Sequence, residues 1–123
     1  MASSVLILED EYLMAAMLAE LVADAGYKVV GPVASVEKAQ ALINENGIDA
    51  ALLDIKLRGD NRSLDLAARL QAMRVHFAFI TAYSHTLLGG PFRDVPYLAK
   101  PVLPDAVAKL LRQLLASPSD DRA

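Results

Sequence analysis

Acidic side chains follow two short apolar runs of the chain, at the point where each run ends. Residues 5–8 lead into Glu9 and Asp10, and residues 50–53 lead into Asp54. Apolar runs without polar alternation are typical of strands that are buried on both faces of a sheet. If the two strands are parallel neighbours, the carboxylates meet at the sheet edge where α/β proteins bind ligands. Because clustered carboxylates repel one another unless they share a cation, the pattern indicates a site for Mg²⁺ or Mn²⁺.

Two more polar residues end later apolar runs, namely Thr81 and Lys100. A sheet edge with carboxylates, a hydroxyl and an ammonium group has the chemistry that phosphoryl transfer needs. A carboxylate such as Asp54 can act as the nucleophile, and a metal ion can neutralise the phosphoryl oxygens. The hydroxyl can donate a hydrogen bond to one phosphoryl oxygen, and the lysine can act as a point charge on another.

The elements that must position these residues alternate between strand and helix. Strands are predicted at 5–8, 27–30, 50–54, 77–81 and 97–99. Helices are predicted at 11–25, from a Ser35 cap to 45, from a Ser63 cap to 73, and at 104–115. This alternation predicts an α/β fold, a parallel sheet with helices on both faces, whose second strand lies at an edge or ends at Gly31 and Pro32. Two strand orders are possible, and only the one that places strand 1 between strands 2 and 3 brings the early acids beside Asp54.

The bulk composition narrows the class of protein. The 123 residues suit one domain, predicted at 1–117 with a disordered tail at 118–123 and no output domain beyond it. A net charge of −3 does not indicate nucleic-acid binding, and the absence of cysteine excludes disulfides and thiolate metal sites. No apolar stretch is long enough to span a membrane, and no signal peptide opens the chain, so a cytoplasmic location is expected.

Taken together, four ordered motifs resemble the receiver domain of bacterial two-component response regulators. They are Leu8-Glu9-Asp10-Glu11, Leu52-Leu53-Asp54, Ile80-Thr81-Ala82 and Tyr97-Leu98-Ala99-Lys100-Pro101. The resemblance implies a flavodoxin-like (βα)5 fold with strand order 2-1-3-4-5. It also implies a signalling domain that catalyses only its own phosphoryl transfer and dephosphorylation.

The resemblance assigns the reacting groups. It implies that Asp54 accepts a phosphoryl group from a sensor histidine kinase or a phosphotransfer protein. It implies that Mg²⁺ is held by Asp10, with Glu9 nearby, by Asp54 and by the backbone carbonyl of Lys56. Signalling would then occur by contact with a downstream protein that the sequence does not identify.

The resemblance also assigns the residues around the phosphoryl group. It implies that Thr81 and Lys100 bind phosphoryl oxygens and that the Lys100–Pro101 peptide bond is cis. We expect the response to phosphorylation to pass from Thr81 toward Tyr97 and through residues 82–95, because added charge at the phosphoacceptor would draw the threonine inward.

A narrower resemblance is visible in residues 77–83, Phe-Ala-Phe-Ile-Thr-Ala-Tyr, which look like the "FAT GUY" subfamily of receivers. The chain departs from that pattern at His76, Ile80 and Ala82, where the subfamily has proline, alanine and glycine. Lys100 follows Thr81 by only 19 positions, and glycines and prolines lie between them, which predicts a fourth helix that is short or absent. The subfamily pairs with kinases of the HWE or HisKA_2 type, so such a kinase is the expected partner.

The first helix carries an apolar face wider than a core-facing stripe requires. Leu13 and Met17 lie at the edge of that face, and methionine is a pliant residue at adaptable surfaces. Since receivers dock their kinases on this helix, Leu13, Met14 and Met17 are predicted to form a kinase-docking patch. The alternative interpretation is a broad core face on an alanine-rich helix.

Each motif residue also has an ordinary structural explanation. Asp54 could cap a turn, the acids after strand 1 could complement a helix dipole, and Lys100 could be a solvated lysine. A haloacid-dehalogenase-type phosphatase would need an aspartate where Lys56 stands, and a dinucleotide-binding module would need glycines after strand 1. The remaining alternative is a pseudo-receiver that signals by contact without phosphorylation.

Overall fold

A computed structural model describes residues 2–55, 62–82 and 90–116. Its strands are β1 (Ser4–Leu8), β2 (Lys28–Val33), β3 (Ala50–Asp54), β4 (His76–Thr81) and β5 (Tyr97–Ala99). Its α-helices are α1 (Tyr12–Asp24), α2 (Val36–Glu45), α3 (Arg62–Ala72) and α4 (Pro104–Ala116). All strand pairs are parallel, in the order β2-β1-β3-β4-β5. The predicted fold class and strand order are therefore confirmed.

The central strands are buried on both faces because helices cover both sides of the sheet. Every residue of β3 is buried, and side chains of β1 and β3 alternate between two apolar cores. One core packs against α2 and α3, which we call the α2–α3 layer. The other packs against α1 and α4, which we call the α1–α4 layer. Burial on both faces explains why the two apolar runs that end in acids show no alternation of apolar and polar residues.

Local signals locate most helix ends. Ser35 caps α2, since its Oγ accepts a hydrogen bond from the Lys38 backbone N–H at 3.2 Å. Gly26, with φ +93°, follows α1, in agreement with the predicted stop. The predicted Ser63 cap is wrong, because α3 already begins at Arg62. A contact between Arg62 and Glu37 of α2 accompanies this earlier start. A capping signal in the local sequence cannot predict such a contact with another helix.

The edge strand β2 continues past its predicted end at residue 30. Gly31 and Pro32 together lie opposite Ile7, which makes an irregularity of the kind found at sheet edges. Gly31 has φ +95°, and a Cβ there would lie 3.0 Å from the Ile7 carbonyl oxygen, so this position needs glycine. Beyond the irregularity the strand still follows β1, and the Val33 carbonyl accepts a hydrogen bond from the Glu9 N–H at 2.9 Å. The edge strand β2 thereby fixes the position of the backbone at Glu9.

The connection from β4 to β5 contains a 3-10 helix, Gly90–Phe92, and no α-helix in the residues described there, 82 and 90–96. Phe92 is buried with its ring edge-on to Phe79, at a centroid distance of 5.6 Å. This agrees with the predicted short or absent fourth helix, while residues 83–89 of the predicted switch segment lie outside the described residues.

Two further sequence predictions concern the C-terminal tail and membrane-spanning helices. The predicted tail at 118–123 lies outside the described residues, so the domain boundary at 117 stays a prediction. Across the described ranges, no helix has the length and apolar character needed to cross a bilayer.

Candidate functional site

Three carboxylates meet at the carboxyl edge of the sheet. Glu9 and Asp10 follow β1, Asp54 ends β3, and the two strands are hydrogen-bonded neighbours. One carboxylate oxygen from each of the three lies within 4.8 Å of the others. Glu9 and Asp54 are buried, whereas Asp10 is exposed. The structure thus brings together the acids that the sequence analysis singled out.

The ammonium group of Lys100 joins this cluster from β5. Its Nζ lies 3.3 Å from Asp54 Oδ1 and 3.4 Å from Glu9 Oε1. The backbone N–H of Lys100 donates a hydrogen bond to the Thr81 carbonyl at 2.9 Å, which ties β5 to the buried end of β4. The Lys100–Pro101 peptide bond is cis, as the resemblance implies. Thr81 and Lys100 therefore lie at the same edge of the sheet as the carboxylates.

The electrostatics of the cluster are set by burial and by like charge. The pKa of Asp54 is raised from 3.8 to about 7, mainly by burial and then by the Glu9 carboxylate, while the Lys100 ammonium acts in the opposite direction. Burial lowers the pKa of Lys100, but the carboxylates of Asp54 and Glu9 outweigh that effect and raise it. A cation that entered this cluster would relieve the repulsion and favour ionised Asp54.

The donor set fits a hard divalent ion. Glu9 Oε2 accepts a hydrogen bond from the Glu11 N–H at 3.0 Å, which fixes the side chain. Glu9 Oε1 is buried and has no hydrogen-bond partner among the described residues, although Lys100 Nζ is within ion-pair distance. A buried carboxylate oxygen without a hydrogen bond is costly unless a positive charge faces it. The cluster could therefore hold a metal ion, while the Lys56 carbonyl predicted as a further ligand lies outside the described residues.

A cleft of about 160 Å³ opens beside Asp54, on the side of the α2–α3 layer. Its lining comes from the ends of β1 and β3 and from the starts of α2 and α3: Leu8, Asp10, Ala34, Ser35, Val36, Asp54, Arg62 and Ser63. Sequence analysis missed Arg62, whose guanidinium pairs with Glu37 on α2. The available signal was weak, namely a cation immediately before the predicted Ser63 cap, where the helix dipole disfavours it.

The predicted docking patch divides in two. Leu13 is 77% exposed, whereas Met14 and Met17 are half-buried against the core of the α1–α4 layer. The neighbouring Tyr12 is 82% exposed and was not foreseen. An aromatic residue at the start of an amphipathic helix was the signal that could have identified it. The predicted switch residue Tyr97 is 42% exposed, at the surface of the edge strand β5.

Comparisons with known proteins agree with this geometry. The family model for the response regulator receiver domain matches residues 5–112. The phyllosphere-induced regulator PhyR of Methylorubrum extorquens is 34% identical over 118 residues, which cover 94% of this chain and 44% of PhyR. The transcriptional regulatory protein PdtaR of Mycobacterium tuberculosis is 31% identical over 109 residues, or 87% of this chain and 52% of PdtaR. This chain thus spans about half the length of these curated relatives.

Solved structures extend the comparison to three dimensions. The BeF3-activated conformation of SdrG from Pseudomonas melonis Fr1 is 41% identical, with a TM-score of 0.78, and the match covers 94% of this chain and 99% of that one. Since the family model spans most of the chain and the acids, threonine and lysine lie together at the expected edge, this chain belongs to the response regulator receiver domain family of two-component systems.

Proposed function

We propose that this domain receives a phosphoryl group on Asp54 from a sensor histidine kinase or a phosphotransfer protein. The observation that carries the proposal is the convergence of Glu9, Asp10 and Asp54 within 4.8 Å, with the Lys100 ammonium 3.3 Å from the phosphoacceptor. At family level, receivers are signalling domains rather than conventional enzymes. Here the domain would catalyse only its own phosphoryl transfer and dephosphorylation.

The proposed reaction is a displacement at phosphorus. A carboxylate oxygen of Asp54 attacks, the P–N bond to the kinase histidine breaks, and its electron pair remains on the imidazole nitrogen. A new P–O bond leaves an acyl phosphate on Asp54. Lys100 favours the ionised nucleophile and offers a charge to one phosphoryl oxygen, and the Thr81 hydroxyl offers a hydrogen bond to another.

Mg²⁺ is the metal that we assign to the cluster, with Mn²⁺ as a possible substitute. Glu9, Asp10 and Asp54 would hold it, together with the Lys56 backbone carbonyl that the resemblance implies. When bound, the ion supplies positive charge that neutralises the phosphoryl oxygens. Glu9 Oε1, which accepts no hydrogen bond from the described residues, and the burial of Asp54 support this assignment.

The proposed response passes from Thr81 to the edge of the sheet. A phosphoryl group on Asp54 would draw the threonine toward it and bias residues 82–97, which include Tyr97 on β5. Hydrogen exchange with and without beryllium fluoride would follow this segment, and equal exchange in both states would contradict the route. The output would be contact with an unidentified downstream protein.

The proposed kinase is of the HWE or HisKA_2 type, on the strength of the resemblance in residues 77–83. Leu13, Met14 and Met17 are assigned to its docking patch. The exposure of Leu13 supports this assignment, while the half-buried methionines contribute at most one edge of their side chains. A phosphotransfer profile against purified kinases of the host would identify the partner.

The central experiment is labelling with acetyl phosphate followed by mass spectrometry. We expect one phosphoryl group on Asp54 in Mg²⁺, and no label after chelation with EDTA or in the Asp54→Asn variant. Unchanged labelling of Asp54→Asn would refute the assignment of the phosphoacceptor. A complete lack of labelling in the wild type, with an intact fold, would favour the pseudo-receiver that signals by contact alone.

A further inference from the structure

The cleft beside Asp54 has cations on two sides, Lys100 and Arg62. Lys100 approaches from β5 and lies 3.3 Å from Asp54 Oδ1. Arg62 approaches from the α2–α3 layer, lines the same cleft as Asp54, and pairs with Glu37 of α2. The two cations therefore differ in what they bind in the unphosphorylated domain.

The position of Arg62 is electrostatically unfavourable in its own helix. It is the first residue of α3, where the positive end of the helix dipole disfavours a cation. The paired carboxylate of Glu37 compensates for this, but the side chains of Arg62 and Glu37 are 55% and 63% exposed. Exposed ion pairs contribute little, so the contact can be exchanged for a stronger one.

A phosphoryl group on Asp54 would offer such a stronger contact. It would bring close to two negative charges and three acceptor oxygens to the mouth of a cleft that Arg62 already lines. A guanidinium group binds phosphoryl oxygens through paired hydrogen bonds, and such charge-assisted bonds exceed an exposed ion pair with a carboxylate.

We infer that Arg62 is a second, conditional cation of the phosphoacceptor site, which leaves Glu37 and binds the phosphoryl group once Asp54 is modified. Glu37 then acts as a competitor that weakens the hold on the phosphoryl group. The exchange also releases one link between α2 and α3, so that the phosphorylated state differs at this surface. This inference rests on the proposed function, because it needs a phosphoryl group on Asp54.

The test is a double-mutant cycle with beryllium fluoride and saturating Mg²⁺, monitored by NMR titration of backbone amides. Arg62→Gln is expected to weaken binding about tenfold. Glu37→Gln is expected to tighten binding about threefold, because it removes a carboxylate that competes for the arginine. The double variant is expected to match Arg62→Gln alone, which a merely structural role for either residue would not produce.

The matched control is Arg69, which lies about two turns further along α3 and contacts Gln40 and Asn44 of α2. Arg69→Gln removes a comparable link between the helices at a position away from the cleft, and it is expected to leave the affinity unchanged. Side-chain Nε–Hε signals report the exchange directly: the signal of Arg62 is expected to shift on binding, and that of Arg69 to stay.

Two outcomes overturn the inference. One is a wild-type affinity in Arg62→Gln, and the other is an equal effect of Glu37→Gln with and without the arginine. Either would leave the proposed function standing, provided that the wild type binds beryllium fluoride. If the wild type fails to bind and Asp54 takes no label, the proposed function itself fails, which is a distinguishable result.

Discussion

The two helical layers present different chemistry near Asp54. In the α1–α4 layer, Tyr12, Leu13 and Leu103 expose apolar side chains at the starts of the two helices or just before them. In the α2–α3 layer, polar links join the two helices instead, from Arg62 to Glu37 and from an arginine further along α3 to polar groups of α2. Both layers border the same edge of the sheet.

This difference separates two tasks. Exposed apolar side chains have no role in the core, and their burial against another protein would be favourable. Charged links that are exposed and weak can respond to a new charge instead. The chemistry itself lies between the layers, where Asp54 and Lys100 meet at the sheet edge. The predictions below test that division, in order of expected effect.

The largest effect is expected for Lys100→Gln, which removes the cation that lies between the layers. Phosphorylation of Asp54 should fall about a hundredfold, because a partly buried charge on a phosphoryl oxygen is lost. The loss should be similar with the kinase and with acetyl phosphate, measured as initial rates of labelling. A loss with the kinase alone would assign the lysine to docking instead.

Next in size is the stability of Asp54→Asn as a function of pH. The pKa of Asp54 is 3.8 in the unfolded chain and about 7 in the folded domain. Below about pH 4 the carboxyl group is protonated in both states, and the folded domain has its full stability. That stability is lost as the pH rises through about 7, where the ionised carboxylate is buried beside Glu9. At about pH 8 the variant should be more stable by on the order of 2 kcal/mol, and at about pH 4 it should match the wild type.

Urea unfolding without divalent metal measures this difference. Mg²⁺ should stabilise the wild type more than the variant, since an ion that binds only the folded state adds stability. An equal gain of stability in Asp54→Asn at both pH values would show that packing, and not charge, is responsible.

A smaller effect is expected for Leu13→Asp in the α1–α4 layer. Phosphotransfer from the kinase should slow about tenfold, because a charge replaces the exposed apolar side chain of the proposed docking patch. Labelling by acetyl phosphate should not change. Ala41→Asp, at an exposed position of α2, is the matched control in the other layer and should leave both rates intact.

If Leu13→Asp slows both reactions, the substitution has disturbed the helix, and the assignment of Leu13 to a docking patch is contradicted. If Ala41→Asp slows the kinase as much, docking extends to the α2–α3 layer, and the division between the layers fails.

The smallest effect is expected for Arg69→Gln. It should lower the free energy of unfolding by about 0.5 kcal/mol, because its contacts to α2 are at the surface or partly exposed. Urea unfolding gives this value. A loss above about 2 kcal/mol would mean that the polar links hold the layer together and are not exchangeable.

Much of the site followed from the sequence alone. Parallel strands present their carboxyl ends at one edge, so apolar runs that end in Glu9, Asp10, Asp54, Thr81 and Lys100 place these residues along that edge. The strand order that brings the early acids beside Asp54 came from the resemblance to receivers. The order of the motifs then led to the receiver fold, and the glycines and prolines after Thr81 indicated a weak fourth helix. These features depend on local pattern and on the sheet geometry that the pattern imposes.

Other features were decided only by tertiary contacts. The start of α3 at Arg62 accompanies a pairing with Glu37, a residue 25 positions earlier in the chain, and no local pattern predicts such a pair. The irregularity at Gly31 depends on the approach of Ile7 from β1, and the raised pKa of Asp54 depends on burial beside Glu9. Exposure and electrostatics are properties of the packed molecule, because they are set by neighbours that the chain supplies from distant positions.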